Sequence, residues 1–257
     1  MMPQDVQAEF PAKCEQCECH KSKMSDFTMA FQPIWDLKHE KLFGYEALVR
    51  GVNNESAYDV LSQVNDENKY YFDQQCRAKA IKLAAELGLD SILSINFLPN
   101  AVYEPKRCLA TTLRLAKKYD FPTQRIMFEF TEVERMRDTE HLKNIIQCYR
   151  DLGFLTAVDD FGAGYSGLSL LADFQPNIAK LDMALIRNID SSNSRQVIVK
   201  NCVSMFKQLG ITVLAEGIET VEELAFLKSL DVDLIQGYLV ARPGFETLPQ
   251  PDLDKLL

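Results

Sequence analysis

Residues 156–166 read Thr156-Ala157-Val158-Asp159-Asp160-Phe161-Gly162-Ala163-Gly164-Tyr165-Ser166, and the rest of the chain is organised around this stretch. It begins as a short apolar strand, ends in two adjacent carboxylates, and continues into a loop with two glycines. Because neighbouring side chains of a regular strand point to opposite faces, Asp159 and Asp160 can serve one site only if the strand breaks there. Gly162 and Gly164 allow the backbone conformations of such a break. A polar turn between a strand and a helix explains the stretch equally well, so the rest of the chain must decide.

Length and composition bound the class of protein. The chain has 257 residues, of which 47% are hydrophobic and 25% are charged, as in an ordinary soluble globular protein. This length is enough for one large domain with a substantial core, and a single α/β barrel fits it. We expect that domain at residues 26–257, preceded by a flexible segment at residues 1–25.

The N-terminal segment contains a cluster of possible ligands: Cys14, Cys17, Cys19 and His20. Such a cluster suggests zinc binding or a redox pair. Structural zinc sites normally join two separated ligand pairs, whereas this segment has a single cluster. We therefore favour a flexible tail with incidental thiols and keep metal binding and redox activity as alternatives.

The charge of the chain excludes some partners. Its formal net charge is -9 and its pI is about 5.0, which argues against binding a nucleic-acid polymer, since that needs a basic surface. A small anionic ligand is compatible if metal and arginine neutralise it locally. No apolar run approaches the ~20 residues that span a membrane, and the N-terminus lacks a secretory signal. Together with dispersed core thiols, these features predict a cytoplasmic protein without membrane insertion.

Strands alternate with helices along the chain, which predicts a parallel α/β fold. The strand candidates are residues 28–34, 42–49, 91–97, 125–130, 155–159, 178–182, 211–216 and 234–239. Eight strands favour a TIM-like (β/α)8 barrel over an open sheet, for which no glycine-rich dinucleotide or phosphate-loop fingerprint is present. The first two candidates form a hairpin-like start, so we expect one antiparallel strand there.

The helix candidates are residues 57–87, 106–119, 140–152 and 194–209, and a further helix begins with the capping box of Thr220 and Glu223. The helical period predicts which residues face the core. The predicted inward stripes are Phe72, Cys76, Ala80, Leu83 and Leu87 on the first helix, Leu142, Ile145, Ile146 and Tyr149 on the third, and Val197, Ile198, Cys202, Met205 and Phe206 on the fourth.

Polar residues mark the ends of the predicted strands. They are Glu46 with Arg50, Asn96, Glu129, Asp159 and Asp160, Lys180, Glu216 with Glu219, and Gln236. The C-terminal ends of barrel strands converge on one face, where active sites lie. Each of these residues alone has a structural explanation, such as a solvated strand edge or a turn. As a set that explanation is poor, because the flanking residues are apolar.

Buried carboxylates are costly unless they are paired or bind cations. The set of possible ligands contains only oxygen atoms, and no histidine falls at a strand end, so Mg²⁺ or Mn²⁺ is expected. About five carboxylates can hold two ions roughly 4 Å apart with one aspartate bridging. Lys180 beside cations would be driven toward its neutral form and could accept a proton from water. Arg50 suits a bidentate grip on phosphate.

Several short motifs follow in a fixed order. They are Phe31-Gln32-Pro33-Ile34, Glu46-Ala47-Leu48-Val49-Arg50, Ser94-Ile95-Asn96, Glu129-Phe130-Thr131-Glu132, the run from Asp159 to Ser166, Lys180-Leu181-Asp182, Ala215-Glu216-Gly217-Ile218-Glu219 and Gln236-Gly237-Tyr238. Over about residues 27–243 the sequence resembles the EAL-domain cyclic-di-GMP phosphodiesterases. The departures are few: Ala163 stands where threonine is common, and Phe97 follows Asn96 where a small polar residue is common.

The resemblance implies hydrolysis of cyclic di-GMP to linear pGpG by a homodimer with two Mg²⁺ or Mn²⁺ ions per site. The implied metal ligands are Glu46, Asn96, Glu129, Asp159, Asp160 and Glu216. Lys180 would position or deprotonate the water, and catalysis would rest on it with Glu46, Asp159 and Asp160. The implied substrate contacts are Gln32, Leu48, Arg50, Asp182 and Gln236. The implied loop and support residues are Glu132, Gly162, Gly164, Ser166 and Glu219.

Two alternatives remain at this point. One is a non-catalytic module that binds the dinucleotide or a protein partner, which the intact ligand set and loop disfavour. The other is a phosphodiesterase for a different nucleotide, which only the resemblance weakens.

Overall fold

The computed structural model describes residues 24–102, 104–131, 139–164 and 167–256. Its strands are β1 (Phe27–Asp36), β2 (Lys41–Gly51), β3 (Ile92–Asn96), β4 (Ile126–Thr131), β5 (Leu155–Phe161), β6 (Ile178–Leu181), β7 (Thr212–Ala215), β8 (Leu234–Ile235) and β9 (Gly244–Phe245). Strands β2 to β8 pair in parallel in chain order. Strand β1 is antiparallel to both β2 and β8 and closes the barrel. The predicted TIM-like barrel with one antiparallel strand is confirmed.

Helices cover the outside of the barrel. They are α1 (Ala57–Leu61), α2 (Lys69–Glu86), α3 (Pro105–Lys118), α4 (Thr139–Asp151), α5 (Gly167–Asp173), α6 (Met183–Ile186), α7 (Asn193–Gln208), α8 (Val221–Ser229) and α9 (Leu253–Leu256), with 3-10 turns at Pro99–Ala101 and Thr123–Arg125. The capping box predicted for Thr220 and Glu223 is confirmed at the start of α8. Among the described residues, none of these helices combines the length and the apolar composition that crossing a bilayer requires.

The helical region predicted for residues 57–87 consists of two separate helices, α1 and α2. Asn68 explains the interruption: its Oδ1 accepts a hydrogen bond from the Asn65 N–H at 2.8 Å, and its Nδ2 donates to the Gln63 carbonyl at 2.8 Å. Asparagine side chains that bond to nearby backbone in this way compete with the helix for its backbone groups.

The predicted stripe on α4 is confirmed, but two other stripes need correction. On α7, Val197 and Ile198 are exposed, whereas Val199, Val203 and Phe206 are buried. The latter three are spaced i, i+4 and i+7, so they share the face that packs on the barrel. On α2 the predicted stripe is likewise incomplete, because Asp73 and Arg77 are buried beside Phe72 and Ala80.

Apolar residues form two separate layers. The larger core lies between the strands and the helices, and a smaller cluster fills the barrel interior. The buried members of the interior cluster are Ile34, Met127, Ala157, Ile178, Leu214 and Leu234. They come from six different strands, so this level of the barrel is a packed core. A site for chemistry can therefore lie only nearer the C-terminal ends of the parallel strands.

The predicted strand break at the paired aspartates is present. The pairing between β5 and β6 shifts register between Val158 and Phe161, as in a β-bulge. Asp160 has φ 54° and Gly162 has φ 101°, so the left-handed backbone begins at the aspartate itself, earlier than the glycines suggested. Aspartate tolerates this region better than most residues, and a bulge re-aims side chains beside functional sites.

Candidate metal centre

Inside the barrel, a layer of polar side chains lies next to the apolar layer, two residues further toward the C-terminal ends of the parallel strands. On most strands a residue of the interior cluster is followed two positions later by a polar residue, which therefore points to the same side. The pairs are Met127 with Glu129, Ala157 with Asp159, Ile178 with Lys180, Leu214 with Glu216 and Leu234 with Gln236. Strand β1 runs the opposite way, so there Gln32 precedes Ile34. The antiparallel strand thus contributes to the same layer.

Lys180 is the hub of the polar layer. Its Nζ lies 2.7 Å from Glu129 Oε2, 2.8 Å from Glu216 Oε1, 3.0 Å from Asp159 Oδ1 and 3.5 Å from Glu46 Oε2. The side chains of Lys180 and Glu129 are both 0% exposed. Four carboxylates from different strands therefore converge on one buried ammonium group, as predicted from their positions at strand ends.

Amide side chains orient the Glu46 carboxylate. Asn96 Nδ2 donates to Glu46 Oε1 at 2.7 Å, and Gln236 Nε2 donates to Glu46 Oε2 at 2.9 Å. Gln236 Nε2 also lies 3.4 Å from Gln32 Oε1, and Gln32 Nε2 donates to the Ala241 carbonyl at 3.2 Å. Within the described residues, Gln236 Oε1 is buried without a hydrogen-bond donor. This oxygen is therefore a buried acceptor whose hydrogen-bonding capacity is unused among the described residues.

Ser94 belongs to this layer, although the sequence interpretation assigned it no role. Its hydroxyl donates to Glu129 Oε1, so Glu129 is held by Ser94 on one oxygen and by Lys180 on the other. The sequence could have identified Ser94, because residues two apart in a strand point to the same side and Ser94 lies two residues before Asn96. Asn96 on β3 was identified, and Ser94 shares its face.

Two groups of three carboxylates can each surround a cation. One consists of Glu46, Glu129 and Asp159, and the other of Asp159, Asp160 and Glu216. In each group one oxygen from every residue lies within 4.8 Å of the others. Asp159 belongs to both groups, as a bridging ligand would. The bulge at Asp160 brings the second of the paired aspartates into the same site.

The carboxylates and Lys180 shift one another's protonation. Burial raises the pKa of Glu129 to about 8 and that of Glu216 well above its usual value, although Lys180 opposes both shifts. Burial and the neighbouring Asp159 raise the pKa of Asp160 to about 6. Burial works to lower the pKa of Lys180, but the carboxylates raise it well above its usual value. With the carboxylates alone around it, Lys180 is therefore protonated. The neutral lysine expected from the sequence presupposed bound cations.

The donor set fits hard divalent cations. The five carboxylates of the two groups and the single ammonium group leave a net charge of minus four when all are ionised. Oxygen ligands of this kind suit Mg²⁺ and Mn²⁺, and burying such an excess of negative charge is costly without cations. The described residues therefore fit the metal requirement inferred from the sequence.

The resemblance assigned roles to four further described residues, Leu48, Arg50, Asp182 and Glu219, whose surroundings are as follows. Leu48 and Arg50 follow Glu46 on β2 and are half-buried, and Arg50 Nη1 donates to the Val49 carbonyl at 2.7 Å. Asp182 caps α6 by accepting the Ala184 N–H at 2.9 Å, and its charge contributes to the raised pKa of Asp160. Glu219 accepts a hydrogen bond from Arg187 Nη2 at 2.7 Å.

The loop after Asp160 is described only in part. Gly162 is exposed and Gly164 is half-buried. The φ of 101° at Gly162 strains any other residue, and a Cβ atom there would lie 2.6 Å from Leu185 Cδ1 of α6, so the Leu185 side chain would have to shift. Glu132 and Ser166 lie outside the described residues, as do Cys14, Cys17, Cys19 and His20.

Comparisons with known proteins agree with this geometry. The family model of the EAL domain matches residues 20–243. A crystal structure of a standalone versatile EAL protein from Vibrio cholerae O395, in a c-di-GMP-bound form, is 60% identical, with a TM-score of 0.88, and the match covers 91% of this chain and 99% of that one. A manganese and cyclic-di-GMP complex of Klebsiella pneumoniae BlrP1 is 34% identical, with a TM-score of 0.81, and covers 88% of this chain and 58% of that one.

Among curated proteins, cyclic di-GMP phosphodiesterase PA2567 of Pseudomonas aeruginosa is 31% identical over 225 residues, which is 84% of this chain and 38% of that protein. The chain spans between 28% and 58% of the length of the first curated relatives that it matches. The similarity thus covers nearly all of the barrel, and these curated relatives are longer proteins.

Proposed function

Since the chain belongs to the EAL domain family, we propose that it is a phosphodiesterase that hydrolyses cyclic di-GMP to linear pGpG with two bound divalent cations, Mg²⁺ or Mn²⁺. The observation that carries this proposal is the pair of carboxylate groups that share Asp159 beside Lys180. Relatives named as cyclic di-GMP phosphodiesterases and structures named as complexes with the dinucleotide support it.

The proposed ligands of the first cation are Glu46, Glu129 and Asp159, with Asn96 beside them. Those of the second are Asp159, Asp160 and Glu216. Asn96 donates through Nδ2 to Glu46, which leaves its Oδ1 as the atom that can ligate. Bound divalent cations lower the pKa of a water molecule and offset negative charge on phosphate oxygens.

Lys180 is our candidate for the group that accepts the proton of the attacking water. It is fully buried and within 3.0 Å of three proposed ligands, so it lies at the right place to receive a proton from that site. Its ammonium form is held by uncompensated carboxylates. Once their charge is offset, that support is removed and the neutral amine becomes accessible.

The remaining polar residues are assigned to the substrate. Arg50 is proposed to grip a phosphate oxygen, since a guanidinium binds such groups in a bidentate manner. Gln236 Oε1, buried without a donor among the described residues, and the neighbouring Gln32 are proposed to bond the dinucleotide. Leu48 and Asp182 complete the proposed contacts. Glu132, Gly162, Gly164, Ser166 and Glu219 are proposed to support the loop and the ligands.

A turnover assay tests the proposal. Purified protein is incubated with cyclic di-GMP and Mn²⁺ or Mg²⁺, and the product is identified by chromatography and mass spectrometry. We expect pGpG, with no product after Glu46→Ala and normal turnover after Glu67→Ala, an exposed glutamate on the surface. Tight binding without turnover in both metals would instead favour a non-catalytic receptor.

The proposed assembly is a homodimer, and the proposed location is the cytoplasm. The dimer is tested by light scattering alongside the turnover assay at several protein concentrations. Turnover per chain that falls on dilution together with the measured mass would support a catalytic role for the dimer. A monomer with full activity at every concentration would contradict it.

A further inference from the structure

Arg77 of α2 is a charged residue buried outside the barrel, where the metal centre does not use it. Its side chain is 1% exposed. Arg77 Nη2 lies 2.8 Å from Asp73 Oδ2, one helical turn earlier, and Arg77 Nη1 donates to the Tyr149 hydroxyl of α4 at 2.9 Å. The guanidinium thus links two helices of the outer layer. Burial works to lower the pKa of Arg77, but Asp73 and Tyr149 raise it above its usual value, so the group is charged.

The guanidinium also contacts the ends of two strands from behind. Its central carbon lies 5.0 Å from the ring centroid of Phe128 and 5.5 Å from that of Phe97. Phe128 immediately precedes Glu129 on β4, and Phe97 immediately follows Asn96 on β3. Since neighbouring residues point to opposite sides of a strand, Arg77 touches the outward side chains whose neighbours are proposed metal ligands.

Asp73 holds the same segment by its backbone. Its Oδ1 accepts a hydrogen bond from the Leu98 N–H at 3.0 Å, two residues beyond Asn96. The Phe97 N–H donates to the Glu129 carbonyl at 2.9 Å, which extends the pairing of β3 with β4 past the end of β3. The chain that leaves Asn96 is therefore held both to α2 and to β4.

We infer that Asp73 and Arg77 are positioning residues for the divalent-cation site, because they fix the strand ends that present Asn96 and Glu129. The inference rests on the proposed metal centre, but not on the identity of the substrate. A buried ion pair often stabilises a protein no more than apolar residues of similar volume. Apolar residues could not reproduce two contacts of this pair. One is the hydrogen bond from the Leu98 N–H to Asp73, and the other is the contact of the Arg77 charge with the rings of Phe97 and Phe128.

The experiment measures Mn²⁺ affinity without substrate, by electron paramagnetic resonance of free Mn²⁺. Arg77→Lys keeps the charge but lacks the planar fork that reaches Asp73 and Tyr149 together. We expect its Mn²⁺ affinity to fall about tenfold, as for residues that orient metal ligands from behind. Arg125→Met is the matched control, since Arg125 stacks on Phe121 at 4.9 Å just before β4 begins, at the opposite end of the strand. Its Mn²⁺ affinity should equal that of the wild type.

A double-mutant cycle separates positioning from general stability. If Arg77 acts through Asn96, then Arg77→Lys should reduce Mn²⁺ affinity far less in an Asn96→Ala background than in the wild type. Tyr149→Phe, which removes only the hydroxyl that Arg77 bonds, provides a milder variant and should weaken Mn²⁺ binding less than Arg77→Lys does. Circular dichroism confirms that each variant is folded.

Unchanged Mn²⁺ affinity in folded Arg77→Lys and Tyr149→Phe would overturn the inference, even if both variants melt at lower temperature. Equal losses in the wild-type and Asn96→Ala backgrounds would overturn the part of the inference that runs through Asn96 and leave only the contact with Phe128 beside Glu129. A wild type that binds Mn²⁺ but does not hydrolyse cyclic di-GMP would contradict the proposed function and leave this inference standing. A wild type that binds no divalent cation would overturn both.

Discussion

Two buried side chains with a positive charge, Lys180 and Arg77, lie on opposite sides of the same barrel wall, and their surroundings differ. Lys180, inside the barrel, faces four carboxylates, whereas Arg77, outside it, faces one carboxylate, a phenol and aromatic rings. Adjacent residues of β4 touch the two cations, since Glu129 contacts Lys180 and Phe128 contacts Arg77.

The difference shows how charge balance separates a binding site from a structural pair. Around Lys180 the negative charge exceeds the positive charge, so bound cations would stabilise the site by offsetting the excess. Around Arg77 the charge is balanced by Asp73, although among the described residues no hydrogen-bond acceptor is aligned with Arg77 Nε or Nη2. Changes on the inner side should therefore act mainly on metal and turnover, and changes of the Arg77 pair mainly on stability and on the geometry of the strand ends.

The largest effect is expected from Asp159→Asn. Asp159 belongs to both carboxylate groups, so neutralising it weakens both proposed cation sites at once. We expect turnover of cyclic di-GMP to fall by at least about 10⁴-fold, comparable to removing a central catalytic group. Steady-state kinetics measures this, and Asp254→Asn on exposed α9 serves as the control. Residual turnover within tenfold of the wild type would show that Asp159 is not shared between cations.

Lys180→Ala should produce the next largest effect. Loss of a proton acceptor is expected to reduce kcat by about 10²- to 10⁴-fold, while binding of cyclic di-GMP is retained. Single-turnover kinetics and calorimetric binding to the same preparation separate the two quantities. If binding and turnover fall together, Lys180 organises the carboxylates and does not act as the base.

Removing one partner of the Arg77–Asp73 pair should lower the free energy of unfolding more than removing both partners. Arg77→Met leaves Asp73 buried and unpaired, and we expect the free energy of unfolding to drop by about 3–5 kcal/mol. The double variant Arg77→Met/Asp73→Leu removes both charges and should recover most of that loss. Urea denaturation in the presence of a chelator measures it. A double variant as unstable as the single one would mean that the hydrogen bonds to the Leu98 N–H and the Tyr149 hydroxyl, and not the pairing of charges, determine the stability of this region.

The smallest effect is a dependence of metal binding on pH. The pKa of Asp160 is raised from 3.8 to about 6, and a ligand must be ionised to bind a cation. The pKa values of Glu129 and Glu216 are raised as well, so cation affinity should already decline below about pH 8 and should fall by at least a further tenfold, roughly, as Asp160 becomes protonated between pH 7 and pH 5. Mn²⁺ titrations at several pH values measure this. Asp160→Asn should bind more weakly at pH 7 and show a smaller pH dependence in this window.

Much of the site could be predicted from the sequence, because strand alternation and barrel geometry are local rules. Residues at the C-terminal ends of parallel strands must converge, so Glu129, Asp159 and Lys180 could be brought together without coordinates. The face of α7 could not be predicted in this way. Val197, Ile198 and Val199 are all apolar, and only the packing against the barrel selects Val199 for burial.

The buried charges of α2 were missed for a related physical reason. Asp73 and Arg77 are spaced i and i+4, which in an isolated sequence is typical of a solvated helix face. Their burial depends on partners far along the chain, namely Leu98 and Tyr149. No local pattern identifies such partners, because they meet only when β3 and α4 have packed around α2.

The sequence by itself determined the barrel, its antiparallel first strand and the set of polar residues above its core, since these follow from period and order. Tertiary structure alone decided how those residues are used. It set the distances of 2.7 to 3.5 Å between Lys180 and four carboxylates, brought Ser94 to Glu129, and put Asp160 into a left-handed bulge beside Asp159 and Glu216. The reason is that distances between strands and balances of buried charge are set by packing across the whole chain.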